Sequence, residues 1–519
     1  MNPNKTGIVY LVGAGPGDPG LLTLRGQACL ALADVVVYDY LANPALLNMA
    51  PHEAERIYVG KKAGNHTLNQ EDITTLIVEK ALEGQVVVRL KGGDPFIFGR
   101  GGEEALELKE RGIPFEIVPG VTSAVAVPAY AGIPLTHREH TSTVAFITGH
   151  EDPSKEKTDI AWDRLATGVG TLVFLMGVGN LAKISKSLIA HGRAPHTPTA
   201  VIQRGTGPLQ RTVVGELQHI ARLAAEKGMR PPAVIVVGDV VGLRKHLNWY
   251  ETKPLFGKTI IVTRAREQAS DFLEKLSQLG AECIQFPTIR LIGPESWDGM
   301  DRGLADLESY DWLLFTSVNG VRYFLERLKT HGKDVRAIKG IQIGAIGPKT
   351  ADAWRRYGIE PDLVPDEYRA EAIVASMKAS GIEGKKILLP RAAQARAVLP
   401  RELRKMGARV DVVEAYRTVK PKQDVKRVRD LLEKKRIHMV TFTSSSTVHN
   451  FVAMFEEESE TLQQWMAHVR VACIGPITAA TATEKGFAVD VVPDEYTIDR
   501  LLRRILAYYG AGGRHRSSG

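Results

Sequence analysis

The sequence predicts an α/β protein, and two observations carry that expectation. Short Val- and Ile-rich runs of strand length alternate with helical patterns throughout the 519 residues, as expected of mainly parallel sheets covered by helices. The second half also repeats itself at an offset of 127 or 128 residues, so one α/β unit occurs there twice. A chain of this length exceeds a single hydrophobic core and is expected to hold about two to four domains.

Taken in order, the strands expected in a first module over residues 1–250 are Ile8 to Val12, Val35 to Tyr38, Val86 to Leu90, Val144 to Thr148, Thr171 to Leu175 and Val234 to Val237. Each is a β-branched run bounded by turn residues. A polar, proline-bearing linker follows at 251–257, and Thr259 to Val262 opens the duplicated region, 258–509. Its copies span 258–384 and 385–509. KTIIVTRAREQA at Lys258 returns as KKILLPRAAQAR at Lys385, and FTSVNGVRYF at Phe315 as FTSSSTVHNF at Phe442. IGAIGPKTA returns as VACIGPITA, and VPDEY at Val364 recurs at Val492. Two copies predict two lobes with a cleft. Thr316, Ser317, Thr443 and Ser444, with the loops at Gly347 and Gly475, fall at helix N-termini, where hydroxyls and backbone N–H groups suit anions. Ordinary capping is the alternative for any single loop. The tail, 510–519, is expected to be disordered.

A hydrophobic content of 44% with 24% charged residues is that of an ordinary soluble globular protein. The longest apolar runs are strand-sized, too short for a membrane span, and MNPNKTGIVYLV enters a strand without a signal-peptide layout. Cys29, Cys283 and Cys473 lie far apart in apolar contexts; they read as core residues in a reducing cytoplasm, with no disulfide and no metal. The net charge of +8 suits nucleic acid, an anionic membrane or a polycarboxylate ligand alike. Its densest run, Lys426 to Arg436, alternates with Val425, Val428, Leu431 and Leu432 at helical spacing, which predicts a solvated helix face and no nucleic-acid surface.

VGAGPGDPG, Val12 to Gly20, half-matches a dinucleotide fingerprint: Gly13 and Gly15 fit and Asp39 ends a second strand at a suitable distance, but Asp18 replaces the third glycine. The turn residues Pro16 to Gly20 delay the helix to about Leu21. Nicotinamide, a plain turn and another adenosyl ligand stay open. VVVRLKGGDPFIFGRGGEE brings Gly92, Gly93, Asp94, Pro95 and three further glycines, implying close approach to backbone. Arg100 among them suits a bidentate carboxylate contact. VPGVTSAVAVPAYAGIPLTHREH supplies Thr122, Ser123, His137, Arg138 and His140; the histidines lack ligand spacing to a carboxylate or cysteine and read as polar lining or surface groups.

VYLVGAGPGDPGLLT, VVYDYL, VGKKAG, VRLKGGDPFIFGRGGEE, VPGVTSA, GIPLTHR, FLMGV and QRGT, in this order, resemble uroporphyrinogen-III C-methyltransferase over residues 7 to about 247. The resemblance implies a class III methyltransferase of two α/β lobes using S-adenosylmethionine, with S-adenosylhomocysteine as product. Its cofactor contacts fall on Pro16, Gly92, Gly93, Asp94, Ile97, Thr122, Ser123, Met176 and Gly205, the proton acceptor on Asp39 and the proton donor on Lys61. Tyr40 stands where many relatives carry a basic residue. A homodimer through this half is also implied.

The duplicated half resembles uroporphyrinogen-III synthase through FTSVNGV, AIGPKTA, VEAYRTV and TFTSSSTV. That implies exchanged lobes, one combining residues 257–290 with about 425–508, and a role for Tyr416 in helping the hydroxyl of hydroxymethylbilane leave. Together the halves imply a bifunctional cytoplasmic enzyme that cyclises hydroxymethylbilane and methylates uroporphyrinogen III at carbons 2 and 7 to precorrin-2, on the way to sirohaem or cobalamin. Separate dehydrogenase and ferrochelatase partners would follow. Two alternatives stay open: a duplicated half that only senses a tetrapyrrole, and a first half that is a nicotinamide-dependent dehydrogenase.

Overall fold

The computed structural model describes residues 6–60, 70–150, 158–264, 266–365, 370–395, 397–419 and 425–513. Among the described residues twenty strands form four sheets of five. The chain divides into two compact units, one holding Met1–Thr259 with Glu274–Cys283 and Leu506–Gly519, the other Ile260–Leu273 with Ile284–Ile505. Among the described residues no helix is long and apolar enough to cross a membrane.

The first sheet contains β1 (Ile8–Gly13), β2 (Val35–Tyr38), β3 (Glu55–Tyr58), β4 (Val86–Lys91) and β5 (Phe115–Val118), in the order β3-β2-β4-β1-β5. All pairs are parallel. Alternate residues serve opposite faces, as a sheet buried on both sides requires. Val9, Leu11, Val35, Val37 and Val87 pack with the helices Gln70–Leu82 and Gly101–Glu110. Val12, Val36 and Val88 pack with the helix Leu24–Ala31, through Cys29 and Leu30. The turn-rich stretch after β1 first makes one short turn at Pro19–Leu21, and the helix proper starts at Leu24, capped by Thr23.

The second sheet departs from the mainly parallel pairing that the other sheets keep. It contains β6 (Val144–Thr148), β7 (Thr171–Leu175), β8 (Pro198–Gln203), β9 (Arg211–Glu216) and β10 (Ala233–Val237), in the order β6-β7-β10-β8-β9. Only β6 and β7 run parallel; the other pairs are antiparallel. The segment 204–210 between β8 and β9 is too short for a crossover helix, so these strands must pair as a hairpin. β9 escaped the sequence reading because it is a half-exposed edge strand without an apolar run.

The linker expected at 251–257 is packed. Glu251 accepts from Arg244 at 2.5 Å, Thr212 at 2.6 Å and Gln210 at 2.9 Å, Leu255 is fully buried, and its N–H reaches Leu279 O at 3.0 Å.

From residue 259 onward the chain lays down β11 (Thr259–Val262) and β12 (Glu282–Gln285), then β13 (Arg290–Ile292), β14 (Trp312–Phe315), β15 (Gln342–Ala345), β16 (Lys386–Ala392) and β17 (Arg409–Val419), then β18 (Met439–Phe442), β19 (Arg470–Cys473) and β20 (Val489–Val491). The third sheet reads β12-β11-β18-β19-β20 and the fourth β13-β17-β16-β14-β15. Each sheet therefore draws strands from both copies of the repeat, the exchange that the resemblance implies. The two crossings run side by side as an antiparallel pair, Arg290 opposite Val419. Equivalent bonds recur in both sheets: Asp362 accepts from Ile343 N at 2.7 Å, and Asp490 from Val471 N at 2.9 Å.

The basic run at Lys426 is a solvated helix, Val425–Glu433, with Val428 and Leu432 buried. Cys29 and Cys473 are fully buried, and burial pushes the Cys473 thiol up to about 12. Where a disordered tail was expected, the helix Ile498–Gly513 runs on through residue 513; residues 514–519 lie outside the described ones.

Asp301 receives both Arg327 Nε at 2.6 Å and Nη2 at 2.5 Å, with His331 at 2.9 Å. These bonds, Arg327 first, hold its carboxyl below the usual 3.8, at about 2. A carboxyl lowered in the folded state stabilises the protein above its unfolded pKa, and that contribution is lost as pH falls toward 2. Its side chain is 30% exposed, so screening limits the gain to about 1 kcal/mol or less. Asp301→Asn should lower the urea midpoint at pH 7, with the gap to wild type shrinking progressively below pH 4.

Candidate active site

The loops after β1, β4 and β5 meet at the C-terminal edge of the first sheet. There β1 and β4 are neighbours whose connections leave in opposite directions, which opens a crevice between the loops. Glycine lets the backbones touch. A Cβ on Gly13 would lie 2.5 Å from Gly120 N, and one on Gly120 would lie 2.3 Å from Gly93 O. Gly93 N donates to Gly15 O at 2.7 Å, and Gly15 N to Gly93 O at 3.2 Å. Asp94 locks the corner, one oxygen accepting from Gly120 N at 3.0 Å and the other from Phe96 N at 2.8 Å.

The same loop is tied to the second sheet. Asp18 N donates to Thr206 Oγ1 at 3.1 Å and Tyr130 OH donates to Asp18 at 2.8 Å, while on the side of the first sheet Asn43 donates to Gly17 O at 2.6 Å. A Cβ on Gly205 would lie 2.4 Å from Val127, on the helix Ser123–Tyr130 that Thr122 caps. Of the sequence-predicted cofactor positions, the segments around Pro16, Gly92 to Asp94, Thr122, Ser123 and Gly205 are thus drawn together. Ile97 is 38% exposed, and Met176, with φ of +56°, is 54% exposed after β7; the contacts above do not include either residue.

Asp39 stands at the end of β2, next to β4. Its Oδ1 accepts from Leu41 N at 3.0 Å and its Oδ2 from Arg89 Nη2 at 3.2 Å. A Cβ on Gly92 would lie 2.5 Å from Leu41 Cβ, so the Asp39 turn packs on the glycine loop. Behind it, Arg89 and Lys91 share one fully buried carboxylate: Glu104 Oε1 is 2.6 Å from Lys91 Nζ, 2.8 Å from Gln70 Nε2 and 3.5 Å from Arg89 Nε. Burial and the Arg89 charge push the Lys91 ammonium down. Sequence reasoning missed this group; its signal was two cations inside the apolar run VVVRLK.

Lys61 lies outside the described residues. Arg100, read as a carboxylate ligand, is exposed and paired with Glu103 at 2.5 Å. The hairpin turn at His137 to Thr141 brings its histidines near a carboxylate: His137, Glu139 and His140 place ligand atoms within 4.8 Å of one another. Spacing alone hid that trio, although one half-buried and two exposed groups do not by themselves make a metal centre.

In the fourth sheet Tyr416 is 8% exposed, and its OH lies 3.0 Å from Ser317 Oγ. Tyr323 stacks on it at 5.6 Å and 13°. Ser317 and Ser444 cap equivalent helices, accepting from Gly320 N at 3.0 Å and Thr447 N at 3.3 Å. Thr316 and Thr443 precede them, half-buried. Gly347 and Gly475 lead into helices beginning at Pro348 and Pro476.

Residues 8–221 match the family model of tetrapyrrole (corrin/porphyrin) methylases, and residues 270–503 that of uroporphyrinogen-III synthase HemD. The chain is 38% identical over 504 residues to the porphyrin biosynthesis protein HemD of Ruminiclostridium josui, covering 97% of this chain and 98% of that one. It is 45% identical over 362 residues to the uroporphyrinogen-III C-methyltransferase of Bacillus subtilis, covering 70% and 74%. Identity reaches 56% over 246 residues with the S-adenosyl-L-methionine-dependent uroporphyrinogen III methyltransferase of Methanosarcina barkeri, covering 47% and 96%. With its glycine-lined crevice in one half and its duplicated, strand-exchanged sheets in the other, the chain belongs to the family in which a tetrapyrrole methylase is joined to a uroporphyrinogen-III synthase.

Proposed function

We propose that the second half closes hydroxymethylbilane to uroporphyrinogen III and that the first half methylates this product at carbons 2 and 7, giving precorrin-2. The observation that carries the reading is the presence of both modules in one chain, matched end to end by a relative of the same length.

S-adenosylmethionine supplies an electrophilic methyl group on a sulfonium. The residues present fit such a co-substrate: no side chain projects from the loops where Gly13, Gly93 and Gly120 touch, and a Cβ on Gly93 would lie 3.7 Å from Ser123 N, at the start of the Thr122-capped helix. Holding the pyrrole carbon in line with the methyl group supplies most of the rate. The pyrrole carbon forms the new C–C bond as the C–S bond breaks, so positive charge passes to the macrocycle and a proton must leave. In this reading Asp39 accepts that proton, Lys61 is the donor, and Arg89 holds the Asp39 carboxylate in place. Pro16, Gly92, Gly93, Asp94, Ile97, Thr122, Ser123, Met176 and Gly205 bind the co-substrate, and Arg100 turns from Glu103 to a substrate carboxylate.

In the second half the hydroxyl of hydroxymethylbilane leaves with its bonding electrons, pushed by the pyrrole nitrogen. Tyr416 donates a hydrogen bond to the departing oxygen, while Thr316, Ser317, Thr443 and Ser444 orient the chain for closure with inversion of the last ring. The same proposal includes a homodimer through the first half, a cytoplasmic setting, and separate downstream dehydrogenase and ferrochelatase enzymes.

Anaerobic incubation of the purified protein with hydroxymethylbilane tests the reading. Isomer III should form without co-substrate, and a doubly methylated product with it; isomer I alone would leave the second half a binding module. Tyr416→Phe should slow cyclisation about tenfold without abolishing it, and complete loss in a folded variant would exclude this assignment. Gly120→Ala forces the loops apart and should weaken S-adenosylhomocysteine binding about tenfold or more in calorimetry.

A further inference from the structure

The duplication pairs two arginines that no step above uses. Arg264, in VTRA, and Arg391, in LPRA, occupy the same position of the repeat at the ends of β11 and β16. The residue before them has changed from Thr263 to Pro390, yet the arginine is present in both copies. Arg391 is 7% exposed and Arg264 is half-buried. Each guanidinium is held below its usual pKa by burial.

Their surroundings correspond as well. A Cβ on Gly320, in the first turn of the Ser317-capped helix, would lie 3.0 Å from Pro390 O, so that helix starts over the strand end carrying Arg391. In the other lobe Thr288 Oγ1 lies 3.3 Å from Thr263 O and 3.3 Å from Thr447 O, joining the Arg264 strand end to the first turn of the Ser444-capped helix. A helix N-terminus adds positive potential to each corner. A guanidinium mostly removed from water favours a carboxylate through paired N–H donors.

We propose that Arg264 and Arg391 each hold a carboxylate side chain of the linear tetrapyrrole, one anchor in each lobe. The proposal rests on the synthase reading and extends it to residues outside the hydroxyl loops. The corners differ in one respect. At an offset of 127, Tyr416 corresponds to Ile289, and Tyr416 lies opposite Ala392, the residue after Arg391, where β17 pairs with β16. The Arg391 corner thus holds the ring that loses its hydroxyl, and the Arg264 corner holds a ring distant from the chemistry.

Full-length R264Q, R391Q and R391K should be compared with wild type for turnover of hydroxymethylbilane, for binding of uroporphyrin III as a stable probe, and for melting temperature. R264Q should raise KM about tenfold with kcat within about twofold of wild type, and R391Q should raise KM and lower kcat, both with about tenfold weaker probe binding. R391K should recover part of the loss, and added guanidinium should partly rescue R391Q. Folded R264Q and R391Q that bind the probe as wild type does would overturn the proposal. Should R391Q fail to fold, R264Q decides, since an anchor is required in both lobes. If wild type yields only isomer I, the synthase reading fails, while probe binding by the variants still judges the arginines separately.

Discussion

Backbone touches backbone where Gly13, Gly93 and Gly120 meet, and the arrangement of the first half depends on that contact. A methyl group at Gly13 or Gly120 would push apart the loops that end β1, β4 and β5. Because the loops are fixed there, Asp94 can bridge to Gly120 with a single carboxylate, and the Asp39 turn can rest on Gly92 through Leu41. The glycines therefore set the shape of the crevice floor, and the ionisable residues are arranged around it. The polar layer under Asp39 follows the same logic. Arg89, Lys91 and Glu104 are almost wholly buried, and ions so far from water persist only when each is paired.

Much of this was legible in the sequence, for identifiable reasons. Val35–Tyr38 and Thr171–Leu175 were readable to the residue because buried strands write continuous apolar, β-branched runs. The exchange of strands between lobes followed from resemblance, since no local pattern records which sheet a strand joins. The hairpin partner β9 was not legible because its burial is partial and its pairing is decided by the short connection before it. The Arg89 and Glu104 pair was invisible for a different reason: the residues are 15 positions apart and meet only through the packing of a helix on a strand. Spacing likewise did not show that His137, Glu139 and His140 lie close together, because a tight hairpin turn brings them there.

A net charge of +8 now has a chemical context. The proposed substrates are polycarboxylates, and a net positive charge raises their local concentration and speeds encounter. Joining the two activities in one chain adds an effective-concentration advantage for an oxidation-prone intermediate.

The exchanged strands also impose an order on synthesis. Thr263 donates to Thr441 O, a partner 178 residues further along the chain, whereas the fourth sheet lies wholly within residues 290–419. As the polypeptide emerges from the ribosome, the inner lobe has all its strands while β11 and β12 still lack β18. The outer lobe closes only after β18 to β20 arrive, so its first two strands wait with an unpaired edge through most of the translation of this half. Connectivity makes the lobe that begins first in sequence the last to be completed.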